Sequence, residues 1–562
     1  MNELTKAQKG RLAIRTFKIT ADALAMRGSY KPAGKSGQTL EAALREISPE
    51  IYGTINDPRS IEIAGLEYVV DRLPKGIEEA TRIVLTAQED LENTAFEKIE
   101  PLKRRRISFR MSEKEICFVI TRGLSEVYDV LTHLTFLNIE ARKIHGQMWD
   151  SSGDLTPMWR ELKHNLDKRD QLDAKELDQA IWNLSILLGR TYQETRHTFE
   201  SLEISRTEKG TNNGLFHIIY QLGLQVEEGR KSKDDELLVY FTPSFRDMIA
   251  HQKVSRNWAR TVKERLNELG LLTRPLHIIS ANMHSVKNLL YAYATLGKNE
   301  TGAAETDIYT FIRERRPDVA KLNALARKHG MVDQDDTSGA NIDFQIFDTE
   351  KLKKLPLHPD LNINREFIAN EKPVILVMDY AFGTQAFEVL DELLAPLDPE
   401  DSKPGKNILS ISIMGKAGIL PGQKGDIMLA TAHVMEGSSH NYLVNNDLSK
   451  SDFDGTIDVY EGPIVTVLGT SLQNRDVLEK FQQTSWRAIG LEMEGGHYHR
   501  AINAAIIKGH ISRKTKTRYA YYASDNPLKS GQTLASGGMG DEGIRPTYMI
   551  TKVIVEKILG GN

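Results

Sequence analysis

Over the first 268 positions, apolar residues recur at intervals of three and four. Ile116, Val119, Ile120, Leu124, Val127 and Leu131 share one helical face. Ser112 and Glu115 form the capping-box pattern that opens a helix there. Leu177, Ile181, Leu184 and Leu188 repeat the spacing, and Trp258, Val262 and Leu266 predict a further helix ending at Gly270. Strand signals are sparse, with Leu237–Phe241 the best candidate. Residues 1–268 therefore read as a mostly α-helical N-terminal domain without a repeat of fixed period.

The pattern changes at Leu276. Short apolar runs at Leu276–Ala281, Val374–Met378, Ile408–Met414, Asp426–Thr431 and Ile464–Leu468 read as strands. Helical stretches lie between them, and a last helix carries Ile550, Val553, Ile554 and Ile558 on one face. This alternation predicts an α/β domain over 269–562, with a sheet covered by helices on both sides. A polar segment at about 298–372, with Asp335–Gly339 as an exposed loop, reads as an insertion.

Composition narrows the class. The chain has 562 residues, 40% of them hydrophobic and 27% charged, with a formal net charge of −4. That balance gives no reason to expect a nucleic-acid or membrane surface. No apolar run approaches about 18 residues, and no secretory signal is visible, so a cytoplasmic protein is expected. Cys117 is the single cysteine, within an apolar run, and reads as a small buried hydrophobe. No His-Glu-x-x-His occurs, and His145–Trp149 is not a metal motif; no metal or cofactor is expected.

Two motifs in the first half invite over-reading. Gly28–Ser36 looks like a phosphate-binding loop but has five residues, not four, before Gly-Lys-Ser, and it follows a helical segment rather than a strand. It reads as a flexible loop. Lys103–Arg106 is the densest basic run and reads as a solvated connection, with a phosphorylated ligand as the alternative.

The second half holds the chemistry. Leu491-Glu492-Met493-Glu494 delivers two carboxylates to the start of a helix that ends near Gly509, and a strand from Arg518 ends on Ser524-Asp525. Acidic groups at strand ends facing a crevice are where an open α/β sheet places a site. Gly415-Lys416-Ala417-Gly418 follows a strand, and its glycines suit close approach of backbone to a ligand. "LEMEGG", "SDNPLKSG", "IMGKAGILPGQKGDIMLA" and "VILVMDYAFGTQA" together resemble the nucleoside phosphorylase and nucleosidase superfamily. The Ser-Asp-x-Pro-Leu form is similar to that of AMP nucleosidases. The departure is Ile419, where a glycine is usual.

The resemblance covers about residues 276–562. It implies a phosphorylase-like α/β domain, a mixed sheet flanked by helices, acting on a small-molecule purine nucleotide or nucleoside in a homo-oligomer. Asp525 would be the catalytic acid. Glu494, Met493, Glu492, Gly415, Gly418 and Ser524 would bind substrate. Lys416, His433, His440, Arg475 and Lys529 are candidate contacts for a phosphate, either a nucleophile or a substrate 5′-phosphate. Glu492 has a second reading, as an acid stabilising a helix N-terminus. Hydrolytic members place a Glu after the first strand; here Asn282-Met283-His284-Ser285 has no carboxylate, and His284 is the one candidate to orient a water. The expected activity is AMP nucleosidase-like N-glycoside hydrolysis. The alternatives are a purine nucleoside phosphorylase and a non-catalytic nucleotide sensor.

Overall fold

Local codes set many helix ends in the computed structural model, which describes residues 4–87, 90–103, 106–295, 306–315, 319–396, 407–529 and 540–561. Thr5 and Gln8 form a reciprocal capping box that opens the helix Lys6–Arg27, and the chain leaves it at Gly28 with φ +95°. Asp173 with Glu176 and Thr191 with Glu194 open the helices Ala174–Leu188 and Tyr192–Lys209 in the same way. Both stop at glycines in the left-handed region, Gly189 and Gly210. The chain divides into two units. One comprises residues 1–251 and 471–477, the other 252–470 and 478–562. Among the described residues no helix is long and apolar enough to cross a membrane.

Helices predominate in the first unit, but a six-stranded sheet is set among them. Its strands are β1 (Ser29–Tyr30), β2 (Arg82–Thr86), β3 (Glu97–Lys98), β4 (Ile107–Ser112), β5 (Glu115–Val119) and β6 (Leu238–Phe241), in the order β1-β6-β2-β5-β4-β3. The expected single helix from Ile116 is corrected here. Ile116 and Val119 lie in β5, and Ser112 faces Glu115 across the turn between β4 and β5 instead of capping a helix. A strand buried on both faces has no alternation to betray it, and β5 is apolar from Ile116 onward. The helix itself runs over Gly123–Gln147, and Glu126 accepts the N–H groups of Thr121 and Arg122 at its start.

Gly28–Ser36 is not a phosphate loop: Gly28 closes one helix, Ser29–Tyr30 pairs with β6, and the next helix begins at Lys35. Of the basic run, Arg104 and Arg105 lie outside the described residues. Arg106 is 3% exposed and bonds Asp129 at 2.5 Å, so it belongs to the interior and not to a surface patch.

In the second unit ten strands form a mixed sheet flanked by helices. They are β7 (Leu276–Ser280), β8 (Met331–Gln334), β9 (Phe344–Asp348), β10 (Val374–Met378), β11 (Ile408–Ile419), β12 (Ile427–Met435), β13 (Asn441–Leu443), β14 (Val459–Thr466), β15 (Gly490–Glu492) and β16 (Lys516–Asp525). The order is β13-β12-β14-β15-β11-β7-β10-β9-β8, and β16 pairs with both β11 and β12. The pairs β11–β16, β16–β12, β12–β14, β14–β15 and β15–β11 therefore close a ring, with β7, β10, β9 and β8 extending from β11.

Three expectations are corrected. The polar segment at 298–372 is no separate insertion: β9 within it pairs antiparallel with β10, and β8 pairs with β9. Gly415–Gly418 is not a loop after a strand but the last part of β11, paired along β16. The helix Lys253–Glu268, expected at the end of the N-terminal domain, belongs to the second unit, where Trp258 Nε1 donates to the carbonyl of Ile342 at 2.7 Å.

Strand side chains alternate between faces. Ile375 and Val377 join Ile550, Val553, Ile554 and Ile558 of the helix Ile544–Ile558 in one core, as the apolar face of that helix predicts.

Cys117 is buried in β5 among Val84, Leu91, Phe109 and Val119, and burial pushes its thiol up to about 12. The native protein should therefore release no chromophore with a disulfide thiol reagent at pH 8, and one equivalent once guanidinium unfolds it.

Candidate functional site

The register around Gly418 organises the site. Gly418 pairs with Leu491 on β15 and with Asp525 on β16, so β11 holds the "LEME" segment on one flank and the Ser-Asp segment on the other. Two strand spacings separate the flanks, about 10 Å. The seam is tight at Gly418 and leaves no room for a side chain at Gly490. A Cβ on Gly418 would lie 3.1 Å from Leu491 Cδ2, and one on Gly490 would lie 2.4 Å from Met428 Sδ and 2.7 Å from the Gly418 carbonyl.

β15 passes directly into the helix Gly495–Ile507. The buried Glu492 carboxylate accepts the N–H groups of Glu494 (2.5 Å) and Gly495 on Oε2, and the Thr466 hydroxyl (2.6 Å) on Oε1. His433 Nδ1 stands 3.5 Å from Oε1. Burial alone would raise this carboxyl, but His433, the Gly495 N–H and the Thr466 hydroxyl outweigh it and hold Glu492 below the usual carboxylate range. Glu492 thus acts at a helix N-terminus, and its oxygens are engaged within the protein. Gly495 and Gly496 allow the contact: a Cβ on Gly495 would lie 2.4 Å from both His433 Cε1 and the Tyr521 hydroxyl.

Glu494 is half-buried at the cap of this helix, and its Oε1 accepts the Gly383 N–H at 3.0 Å. Met493 between the two acids is buried.

Asp525 differs from Glu492. It is 2% exposed, Oδ1 accepts the Ser524 hydroxyl at 2.5 Å, and Oδ2 is buried with no hydrogen-bond partner. Burial raises its pKa above the ordinary value, against the lowering effects of Ser524 and the Lys416 ammonium. A carboxyl so placed keeps a proton to higher pH than a surface aspartate.

The five phosphate candidates have separate surroundings. Lys416 is exposed, and its charge reaches Asp525. His433 is wholly buried against Tyr519 and Glu492, which removes it from phosphate contact. His440 is exposed and stacks on Tyr442, and Lys529 is exposed. Arg475 lies in the segment assigned to the first unit. His284 bonds the Tyr548 hydroxyl at 2.9 Å.

The departure at Ile419 has a local answer. Ile419 is wholly buried, and its Cδ1 lies 2.5 Å from where a Cβ on Gly422 would stand, so a large residue at 419 is matched by none at 422.

Asn526 is a functional neighbour that no spacing rule singles out: it is buried and donates to the carbonyls of Leu420 (3.1 Å) and Gly422 (2.9 Å), fixing the loop beside Asp525. Its signal was a polar residue inside the Ser-Asp motif. Gly383 and Thr466 likewise have no spacing that connects them to Glu494 and Glu492.

In the first unit Glu78, Glu79 and His217 bring ligand-type atoms within 4.8 Å of one another, a cluster invisible to spacing rules because 78 and 217 are far apart in the chain. His217 Nε2 is paired with Glu79 Oε1 at 2.5 Å, and Asn213 bonds Glu78.

A model described as "Family of unknown function (DUF6909)" matches residues 38–321 and 304–560. No curated protein matches the chain. Among solved structures, the chain is similar to 5′-methylthioadenosine/S-adenosyl homocysteine nucleosidase of Campylobacter jejuni, with 11% identity and TM-score 0.31 over 51% of this chain and 98% of that one. It is similar to uridine phosphorylase isoform 2 of Schistosoma mansoni, with 12% identity and TM-score 0.31 over 53% and 88%. It is also similar to futalosine hydrolase of Helicobacter pylori, with 10% identity and TM-score 0.28 over 50% and 99%.

The buried Asp525 carboxyl, with Oδ2 unpartnered, yields a stability prediction. Its folded pKa lies above its unfolded value, so its contribution is greatest below the unfolded pKa and is lost as pH rises through the folded one. Asp525→Asn should melt no lower than wild type at pH 4 and higher at pH 7.5. The gain at pH 7.5 should be about 1–3 kcal/mol, the order of an unsatisfied buried polar group. Thermal melts at the two pH values check this.

Proposed function

The chain belongs to the DUF6909 family, and we propose that its second unit is a purine N-glycosidase that hydrolyses AMP to adenine and ribose 5-phosphate. The observation that carries the reading is Asp525, a buried carboxyl with a raised pKa and an unpartnered oxygen, about two strand spacings from the Glu492–Glu494 segment.

The chemistry follows from the two acids. Breaking an N-glycosidic bond leaves an electron pair on the purine and an oxocarbenium-like charge on the sugar. Asp525, protonated, gives its proton to the departing base. Glu494, half-buried and positioned by Gly383, accepts the ribose hydroxyl hydrogens, which only an ionised carboxylate does on both oxygens. Met493 and the backbone of Gly415–Gly418 form apolar and close-fitting surface for sugar and base. Glu492 fixes the turn from which Glu494 projects, and Ser524 orients Asp525. The choice of AMP over a nucleoside rests on the Ser524-Asp525-Asn526-Pro527-Leu528 resemblance, with Lys416 and Lys529 as exposed cations for a 5′-phosphate.

Free-base release from AMP, adenosine, inosine and methylthioadenosine, with and without inorganic phosphate, tests the reading. Release from AMP without phosphate is expected; a requirement for phosphate would make the enzyme a phosphorylase. Binding without release would make it a sensor. Asp525→Asn should lower kcat by about 10²–10⁴-fold with little change in KM, whereas Glu494→Gln should also raise KM. A substrate whose leaving group needs no proton should recover much of the rate lost in Asp525→Asn and little of that lost in Glu494→Gln. For wild type, kcat should fall as pH rises through the raised Asp525 pKa.

A further inference from the structure

The helix Lys6–Arg27 carries two apolar faces, where packing within its own unit needs one. Gly10, Ala13, Ile14, Phe17, Ala21 and Leu24 are buried and form the inner face. On the outer side Leu12, Ile19 and Met26 are 55%, 66% and 63% exposed. Thr16 and Ala23 lie between them, so positions 12, 16, 19, 23 and 26 advance by four and three in turn, the spacing of a helix-pairing seam. A single exposed apolar side chain is ordinary, but a line of them over about 21 Å of one helix is a surface.

The seam fits a copy of itself. Run antiparallel, with a twofold axis between Thr16 and Ile19, Leu12 of one copy meets Ala23 of the other and Ile19 meets Thr16, so each bulky side chain lies opposite a small one. The Thr16 hydroxyl donates to the Leu12 carbonyl at 3.1 Å, so it is satisfied within its own helix and can be covered.

Charge agrees with the same register. Arg15 and Asp22 flank the seam on one side, and the antiparallel arrangement sets Arg15 of each copy beside Asp22 of the other, twice by symmetry. Asp22 accepts from Lys18 at 2.7 Å and from the Tyr128 hydroxyl, yet its side chain is still 34% exposed, and a carboxylate can accept a further donor. Met26 also finds a place. Beside Leu12 the seam opens into a groove of about 360 Å³ toward the helix Lys35–Ile47, lined by Lys9, Leu12, Ala13, Thr16, Ala43 and Glu46. The Met26 of a second copy reaches this groove in the same register, its unbranched side chain suited to filling an irregular gap. Arg27 arrives next to it, where Glu46 offsets Lys9.

We propose that this face pairs two copies of the chain, helix against helix about a twofold axis. The pairing is independent of the chemistry of the second unit.

Ile19→Glu tests it by placing two charges at the centre of the seam, on a residue that is exposed in the single chain. Sedimentation equilibrium should give the wild-type protein the mass of an even number of chains and Ile19→Glu half that mass, with self-association weakened about 30-fold or more. Arg15→Asp and Asp22→Arg should each halve the mass too, because like charges then face each other. Mixed one to one, these two variants should regain the wild-type mass, since every facing pair is again opposite in sign. Only folded variants can do so, which separates a broken interface from a misfolded chain. A wild-type mass of one chain at micromolar concentration would overturn the inference. So would an assembly whose mass Ile19→Glu leaves unchanged, or charge variants that stay at half mass when mixed.

Discussion

The Glu492 carboxylate is the constraint on which the second unit depends. Removing a carboxylate from water costs several kcal/mol unless the protein replaces the lost hydrogen bonds. Glu492 recovers them from the N–H groups of Glu494 and Gly495 and from the Thr466 hydroxyl, with His433 beside it. These partners come from β12, β14 and the start of the helix Gly495–Ile507. One side chain therefore ties three elements at a point where the closed ring of strands meets a helix. Glu494, two residues on, inherits its place from that knot and needs only the Gly383 N–H to complete it.

The same seam shows why so many glycines cluster in the second unit. Strands and a helix end approach closer than a Cβ would allow at Gly490, Gly495 and Gly496, and leave little room for one at Gly418. The requirement is steric and not conformational, because none of these four has a positive φ. Tight backbone packing lets β15, three residues long, carry the acids at a defined height above β11. The exchange of bulk between Ile419 and Gly422 follows the same rule: volume is conserved across the loop while the backbone path is kept.

Two carboxylates in one unit are thus driven in opposite directions. Glu492 is buried with partners on both oxygens and held ionised; Asp525 is buried with one oxygen unpartnered and held toward its protonated form. Environments that push neighbouring acids apart are how one fold supplies both a fixed negative charge and a proton donor.

What the sequence by itself determined were features written locally. Apolar runs located β7, β10, β11, β12 and β14, and the spacing of Ile550, Val553, Ile554 and Ile558 located the last helix and its buried face. The order of "GKAG", "LEMEGG" and "SDNP" located the acids. Tertiary structure decided the rest, for identifiable reasons. β5 hid in a helix-like spacing because a strand buried on both faces does not alternate, and β8 and β9 hid because each is only four or five residues long within a polar segment, β8 at the sheet edge and β9 buried between β8 and β10. Which of Glu492 and Glu494 would be consumed by the protein could not be read locally, because Thr466, His433 and Gly383 reach them from elsewhere in the chain. Nor could the state of Asp525 be read: its pKa depends on which groups fail to reach Oδ2, and that is a property of packing in three dimensions, not of neighbours in sequence.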